Sequence, residues 1–332
     1  MGEQTKIRSR IILLSIASFL VGAAVVWILP VRRDNPGIKR ITYAHANYKY
    51  VKPLLAIEVG EKQQFSEYRP LLNQLTDSVN TMVAAGLASS ISVYFRDLPS
   101  GRWTGVNEDK KFSPGSLLKV PLMITYLKLA EEKPEILQSK LVYEGPDENV
   151  METIKPAQTI VKGQAYMVDD LIRRMIIYSD NNAAILLFDH VDIKAVNQVY
   201  SDLGLDFPED KANLDYISAR QYSLFFRLLY SATYLGPEMS ELALNYLSLT
   251  DFRNGVKKGV NTNIPVADKF GERAFQSSNS QITAYELHDC GIVYHERHPY
   301  FLCVMTQGPN KQDLPEIIQK ISKTVFTEVD KK

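Results

Sequence analysis

The chain has 332 residues, 45% apolar and 23% charged, enough to bury one large core or two modest ones, which excludes a disordered polymer. Its 38 basic and 38 acidic side chains cancel, so no overall field favours nucleic acid, and no nucleic-acid partner is expected. Two cysteines, Cys290 and Cys303, are too few for a disulfide framework and lack metal-ligand spacing.

The first element is "IILLSIASFLVGAAVVWIL", residues 11 to 29, apolar or small throughout. At about 1.5 Å per residue this run matches a hydrocarbon thickness of roughly 30 Å. It runs on into "VVWILPVRRD", with an interfacial tryptophan and no small-x-small exit, so an uncleaved anchor over residues 11–30 is expected, with the lipid bilayer as its partner. Residues 1–10 then form a cytoplasmic tail, and the body is expected to lie outside the cell membrane. The flanking charges, Lys6, Arg8 and Arg10 against Arg32 and Arg33, add little to that orientation. Residues 31–62 mix proline, tyrosine and basic residues without a period and read as a juxtamembrane linker, leaving residues 63–330 for the folded domain.

In that domain Leu71, Leu72, Leu75, Val79, Met82 and Val83 recur at helical steps. The period then changes, and "SSISVYFRDL" and "GRWTGVNED", joined by "PSG", predict a hairpin. In "KFSPGSLLKVPLMITYLKL", Leu118, Leu122, Thr125 and Leu129 mark the buried stripe of a helix. Five helical runs fill residues 168 to 249. Beyond them "IPVADKFG", "SQITAYEL", "CGIVYHE" and "PYFLCVMTQG" are short β-favouring runs, before a closing helix with Ile317, Ile318, Ile321 and Val325 on one face. Because the strand groups flank the helical block, an α+β fold is predicted: one antiparallel sheet, terminal helices against it, and an all-α layer or subdomain.

Three short motifs carry chemistry. Ser116 and Lys119, three apart at a helix start, share one face. A lysine neutralised by burial can take the proton of such a serine, making a nucleophile without histidine. The competing reading is a capping serine followed by a surface lysine. "IYSDNNAAILL" places Ser179, Asp180 and Asn181 at a break between helices, where capping alone would also account for them. "VADKFGER" places Lys269, Phe270 and Gly271 on a predicted strand.

In this order the motifs resemble the signature of the penicillin-recognising serine enzymes, class A β-lactamases and D-alanyl-D-alanine peptidases and transpeptidases. The resemblance spans roughly residues 65 to 328. It implies a β-lactamase/transpeptidase-like fold in which Ser116 is the acyl-accepting nucleophile and Lys119 its proton partner. Ser179 would pass a proton to the leaving group, Asn181 would hold a substrate amide, and Lys269 would place positive charge beside Ser179. An oxyanion hole would combine the N–H of Ser116 with that of a residue just after Gly271, Arg273 or Ala274. The substrate implied is a peptidoglycan stem peptide or a small ester or amide, with no metal and no cofactor.

The sequence departs from that pattern twice. Phe270 stands where the family has a hydroxyl that binds the substrate carboxylate, leaving Lys269 or Arg273 for that task. The segment "LGLDFPEDKANLDYISARQ" lacks the E-x-x-L-N pattern of class A enzymes; Glu209 is its one glutamate, so fast β-lactam turnover is not expected. The alternatives are a catalytically inactive binding module that keeps the penicillin-recognition fold, or a β-lactamase of slow turnover. His288, Cys290, His295 and His298 need not converge on a metal, and Cys290 and Cys303 are expected on neighbouring strands in a diagonal register that does not favour a disulfide.

Overall fold

A computed structural model describes residues 48–52, 66–150, 152–207, 215–261, 263–277, 279 and 281–332. The predicted anchor, residues 11–30, lies outside them, as does Glu209; among the described residues no helix is long and apolar enough to cross a membrane. In chain order the elements are α1 (Arg69–Ala84), β1 (Ser90–Asp97), β2 (Trp103–Val106), β3 (Lys111–Phe112), a 3-10 turn (Gly115–Leu118), α2 (Lys119–Glu132), β4 (Lys140–Val142) and β5 (Ala165–Met167). Then come α3 (Val168–Ile177), α4 (Asn181–His190), α5 (Ile193–Asp202), β6 (Ile217–Ser218), α6 (Ala219–Ser231) and α7 (Pro237–Ser248). Strands β7 (Val266–Gln276), β8 (Ile282–Val293) and β9 (Tyr300–Gly308) and helix α8 (Asp313–Asp330) complete the fold.

Five strands make an antiparallel sheet in the order β2-β1-β9-β8-β7, so β7 is an edge. The two-residue period of a strand sorts β9 between two cores. Tyr300, Leu302 and Val304 join α1 and α8, whose Leu71, Leu75, Ile318 and Ile321 form one layer. Phe301, Cys303 and Met305 face the opposite way into the helical block, among Met123, Leu127, Phe225 and Phe226. The result is three layers, with the sheet buried on both faces. The runs "SQITAYEL" and "CGIVYHE" are one continuous strand, β8, rather than two.

Three further expectations change. Helix α2 buries residues all round, from Lys119 to Leu127 and again at Ala130, because it is enclosed between the sheet and the other helices. Leu118, assigned to its buried stripe, is instead exposed. Part of the predicted linker is docked: the Glu241 carboxylate accepts from the N–H groups of Lys49, Tyr50 and Val51 at 2.8 to 3.0 Å, while Tyr50 and Val51 are buried.

Cys290 and Cys303 pair directly rather than diagonally and form a disulfide. The register follows from the turn after Val293, which pairs Val293 with Tyr300 and so carries Cys290 opposite Cys303. Both are fully buried against the helical layer. Closing a loop with a sequence separation of 13 stabilises a fold by about 3 kcal/mol. The double substitution to alanine is therefore expected to lower unfolding stability by about that amount in denaturant titration, and an unchanged midpoint would contradict the pairing.

Candidate active site

The site is built where α2, the α3–α4 junction and edge strand β7 meet. Gly115 opens the 3-10 turn with φ +51°, a backbone region that glycine enters freely. That turn sets half-buried Ser116 one turn before Lys119, the first residue of α2. Ser179 lies just past the end of α3 with φ +59°, unusual for a residue with a side chain, and such strain persists only where its surroundings hold it. They do so through Asp180. Fully buried, its carboxylate caps α4 at Asn182 N–H and accepts from Asn149 Nδ2, Thr159 Oγ1 and Ile160 N–H at 2.8 to 3.1 Å.

Lys119 Nζ donates to Ser179 O at 2.5 Å and to Asn181 Oδ1 at 2.6 Å, and lies 3.0 Å from Ser179 Oγ. Lys269 Nζ reaches the same Ser179 Oγ at 2.9 Å and Phe270 O at 3.0 Å. Two fully ionised ammonium groups flanking one hydroxyl in a dry site are mutually unfavourable. Burial lowers Lys119 to about 8, against the opposing pull of Glu152, Asp180 and Glu272. Burial, then the nearby Lys119, pushes Lys269 well below the ordinary lysine value. A neutral Lys119 satisfies its two carbonyl acceptors with two N–H bonds and still keeps a lone pair. The cluster can therefore accept a proton and pass it between Lys119 and Ser179.

Strand β7 closes on the nucleophile turn through a missing side chain. A Cβ on Gly271 would stand 2.3 Å from Pro114 O and 3.0 Å from Leu117 N. One residue on, a Cβ at Gly115 would meet Glu272 O at 2.5 Å and Glu272 N at 3.2 Å. The main-chain N–H and C=O of Glu272 thus lie on the free edge of β7, facing the turn. By strand alternation those of Arg273 point into the ladder with β8. Glu272, rather than Arg273 or Ala274, is thus the residue whose main chain faces the nucleophile turn.

Two other expectations move. The Phe270 ring is buried, stacked on Phe252 at 4.4 Å between centroids, with Lys269 Nζ 4.2 Å from its own centroid, so it backs the lysine rather than presenting a hydroxyl to substrate. Lys269 is fully buried on Ser179, whereas the half-buried Arg273 guanidinium donates to Ser113 Oγ at 3.0 Å and keeps further N–H donors. Carboxylates occupy the cleft mouth. Glu272 accepts from the N–H groups of Thr153 and Ile154 and the Thr153 hydroxyl, and Glu152 accepts from Asn181 Nδ2. Burial and the adjacent Glu152 hold Glu272 above the ordinary carboxylate value, so the pair can share a proton. Neither glutamate carries a motif; Glu272 was findable only as the residue after Gly271, and Glu152 had no signal.

Of the histidines considered for a metal, His288 is fully buried behind the turn. Its Nδ1 accepts from Thr306 N–H at 3.3 Å, so Nε2 carries the hydrogen and donates to Ser113 O at 2.9 Å. His295 faces Asp330, and Cys290 is in the disulfide, so the four residues do not converge.

Residues 74–329 match the family described as the Beta-lactamase enzyme family. Beta-lactamase L2 of Stenotrophomonas maltophilia is 31% identical over 136 residues, which span 41% of this chain and 43% of that protein. The match thus covers less than half of the curated relative's length. Among solved structures, a point mutant of PBP-A in an acyl-enzyme complex with penicillin G superposes with a TM-score of 0.66 at 19% identity, over 82% of this chain and all of that one. A class A β-lactamase from Mycobacterium abscessus gives 0.65 at 20% identity, over 78% and 99%. At such identities the structural likeness shows the fold alone.

Proposed function

Because the chain belongs to the β-lactamase enzyme family, we propose that it is an active-site-serine hydrolase or acyl transferase working through a Ser116 acyl-enzyme. The observation that carries this reading is the Lys119–Ser179–Lys269 chain beside Ser116, with Nζ to Oγ distances of 3.0 and 2.9 Å. Ser116 Oγ attacks an amide or ester carbonyl while neutral Lys119 takes its proton. The oxyanion is received by the N–H groups of Ser116 and Glu272. Ser179 passes the proton to the leaving group, held in place by Lys269, and Asn181 meets a substrate amide once Glu152 releases it. Water or an amine then takes the acyl group.

A peptidoglycan-type amide is the substrate class the family favours, with a small ester or amide beside it. The burial of Lys269 on Ser179 and the carboxylates of Glu152 and Glu272 at the mouth support a substrate that is uncharged where β-lactams and D-alanyl termini carry a carboxylate. A buried disulfide is formed in oxidising compartments, which supports an extracytoplasmic body held by residues 11–30.

Intact-mass spectrometry after separate incubation with a fluorophosphonate probe and with penicillin G tests this reading. An adduct with the phosphonate and none with penicillin is expected. A long-lived penicillin adduct would assign the chain to cell-wall peptide substrates despite its mouth, and no adduct with either would favour the inactive binding module.

A further inference from the structure

Beside Ser116 lies a cavity of about 450 Å³, within the size range of small-molecule sites. Ser116, Lys119 and Asn181 line it together with apolar side chains and the hydroxyl-bearing Tyr200 and Tyr216. Three of the wall residues are exposed: Leu118 at 37%, Ile185 at 38% and Phe188 at 44%. Single exposed apolar side chains need no explanation, but three around one cavity do.

Packing does not require them. Helix α4 already has a core face in Ala183, Leu186 and Leu187. Ile185 and Phe188, three apart, form a second apolar strip beside it that turns to the cavity. Leu118 and Leu122 are likewise four apart on the approach to α2, and both line the cavity while Leu118 remains exposed. Charge is confined beside these walls to Glu152, Asp189 and Glu272, all acidic apart from the buried Lys119.

We propose that this cavity seats an apolar acyl chain, so that the preferred substrate is an ester or amide of an aliphatic or aryl carboxylic acid, the chain lying along α4 with its carbonyl at Ser116. This rests on the Ser116 acyl-enzyme reading. An anionic acyl group is disfavoured by the three carboxylates, and a short polar one leaves the apolar wall wet.

The test is the pre-steady-state burst of p-nitrophenolate from the full chain with p-nitrophenyl acetate, butanoate and hexanoate. In each case the bond from Ser116 Oγ to the acyl carbon forms, the carbon–oxygen bond to the phenol breaks, the serine proton goes to Lys119 and p-nitrophenolate departs. The second-order acylation constant is expected to rise roughly threefold to fourfold for each methylene seated in the cavity. Ile185→Asp, at an exposed position, is expected to lower the hexanoate constant about tenfold more than the acetate constant. A Ser116-dependent burst that is flat across the series, as when another segment of this chain fills the cavity, would overturn the acyl-chain assignment and leave the nucleophile intact. No burst with any ester, together with no adduct on Ser116, would overturn both.

Discussion

Replacing Lys119 with methionine is expected to slow acylation of Ser116 by about 10³-fold, the scale of a lost general base. The buried stem is conserved in volume, so the helix still packs, although Ser179 O and Asn181 Oδ1 lose a donor. The pH profile separates this from a packing defect. Lys119 must be neutral to accept the serine proton, and burial lowers its pKa to about 8. In the wild-type chain the acylation rate should therefore rise from pH 6, reach half its plateau near pH 8 and level off above pH 9. In Lys119→Met that limb disappears, leaving a low rate that no longer titrates there. Stopped-flow labelling across pH reads both effects. An unshifted midpoint near pH 10 would mean that burial does not neutralise this lysine.

The second large effect is steric. Gly271→Ala puts a methyl group 2.3 Å from Pro114 O, a contact that forces β7 and the nucleophile turn apart. Displacement of about 1 Å in a reacting geometry costs on the order of 10²-fold in rate. Acylation is expected to fall by at least that much, and because the same Cβ would also stand 3.0 Å from Cγ of the buried Leu117, the melting temperature is expected to fall as well. Equal labelling rates would show that the Glu272 N–H is not aligned with Ser116.

The residues that were legible in sequence share a property: each sits in a short motif whose local geometry places it. Ser116 and Lys119 are one helical turn apart, Ser179 and Asn181 flank a capping aspartate, and Lys269 lies on a strand with a glycine two residues on. Distant motifs then converge because the sheet and α2 bring them together, an outcome the element order already implied. The helical runs between residues 168 and 249 were equally readable, since each has its own apolar face and breaks.

What escaped sequence reading depends on registers and on side-chain direction. Cys290 meets Cys303 only because β8 is continuous and its turn to β9 fixes the pairing. Phe270 follows Lys269 in the motif, and its ring stacks on Phe252 and lies under the same Lys269 Nζ that reaches Ser179. Glu152 and Glu272 are far apart in sequence and ordinary in local context; only tertiary packing makes them neighbours at the cleft mouth. The docking of residues 48–52 likewise depends on Glu241 in α7, which no local pattern connects to them.

The central claim is that Ser116 forms a covalent acyl-enzyme. Peptide mapping by mass spectrometry after fluorophosphonate treatment tests it most directly, comparing the wild-type chain with Ser116→Ala and Ser113→Ala. One phosphonyl group is expected, on the peptide containing Ser116, lost in Ser116→Ala and retained in Ser113→Ala. Labelling that survives Ser116→Ala, or that maps to Ser113 or Ser179, would contradict it.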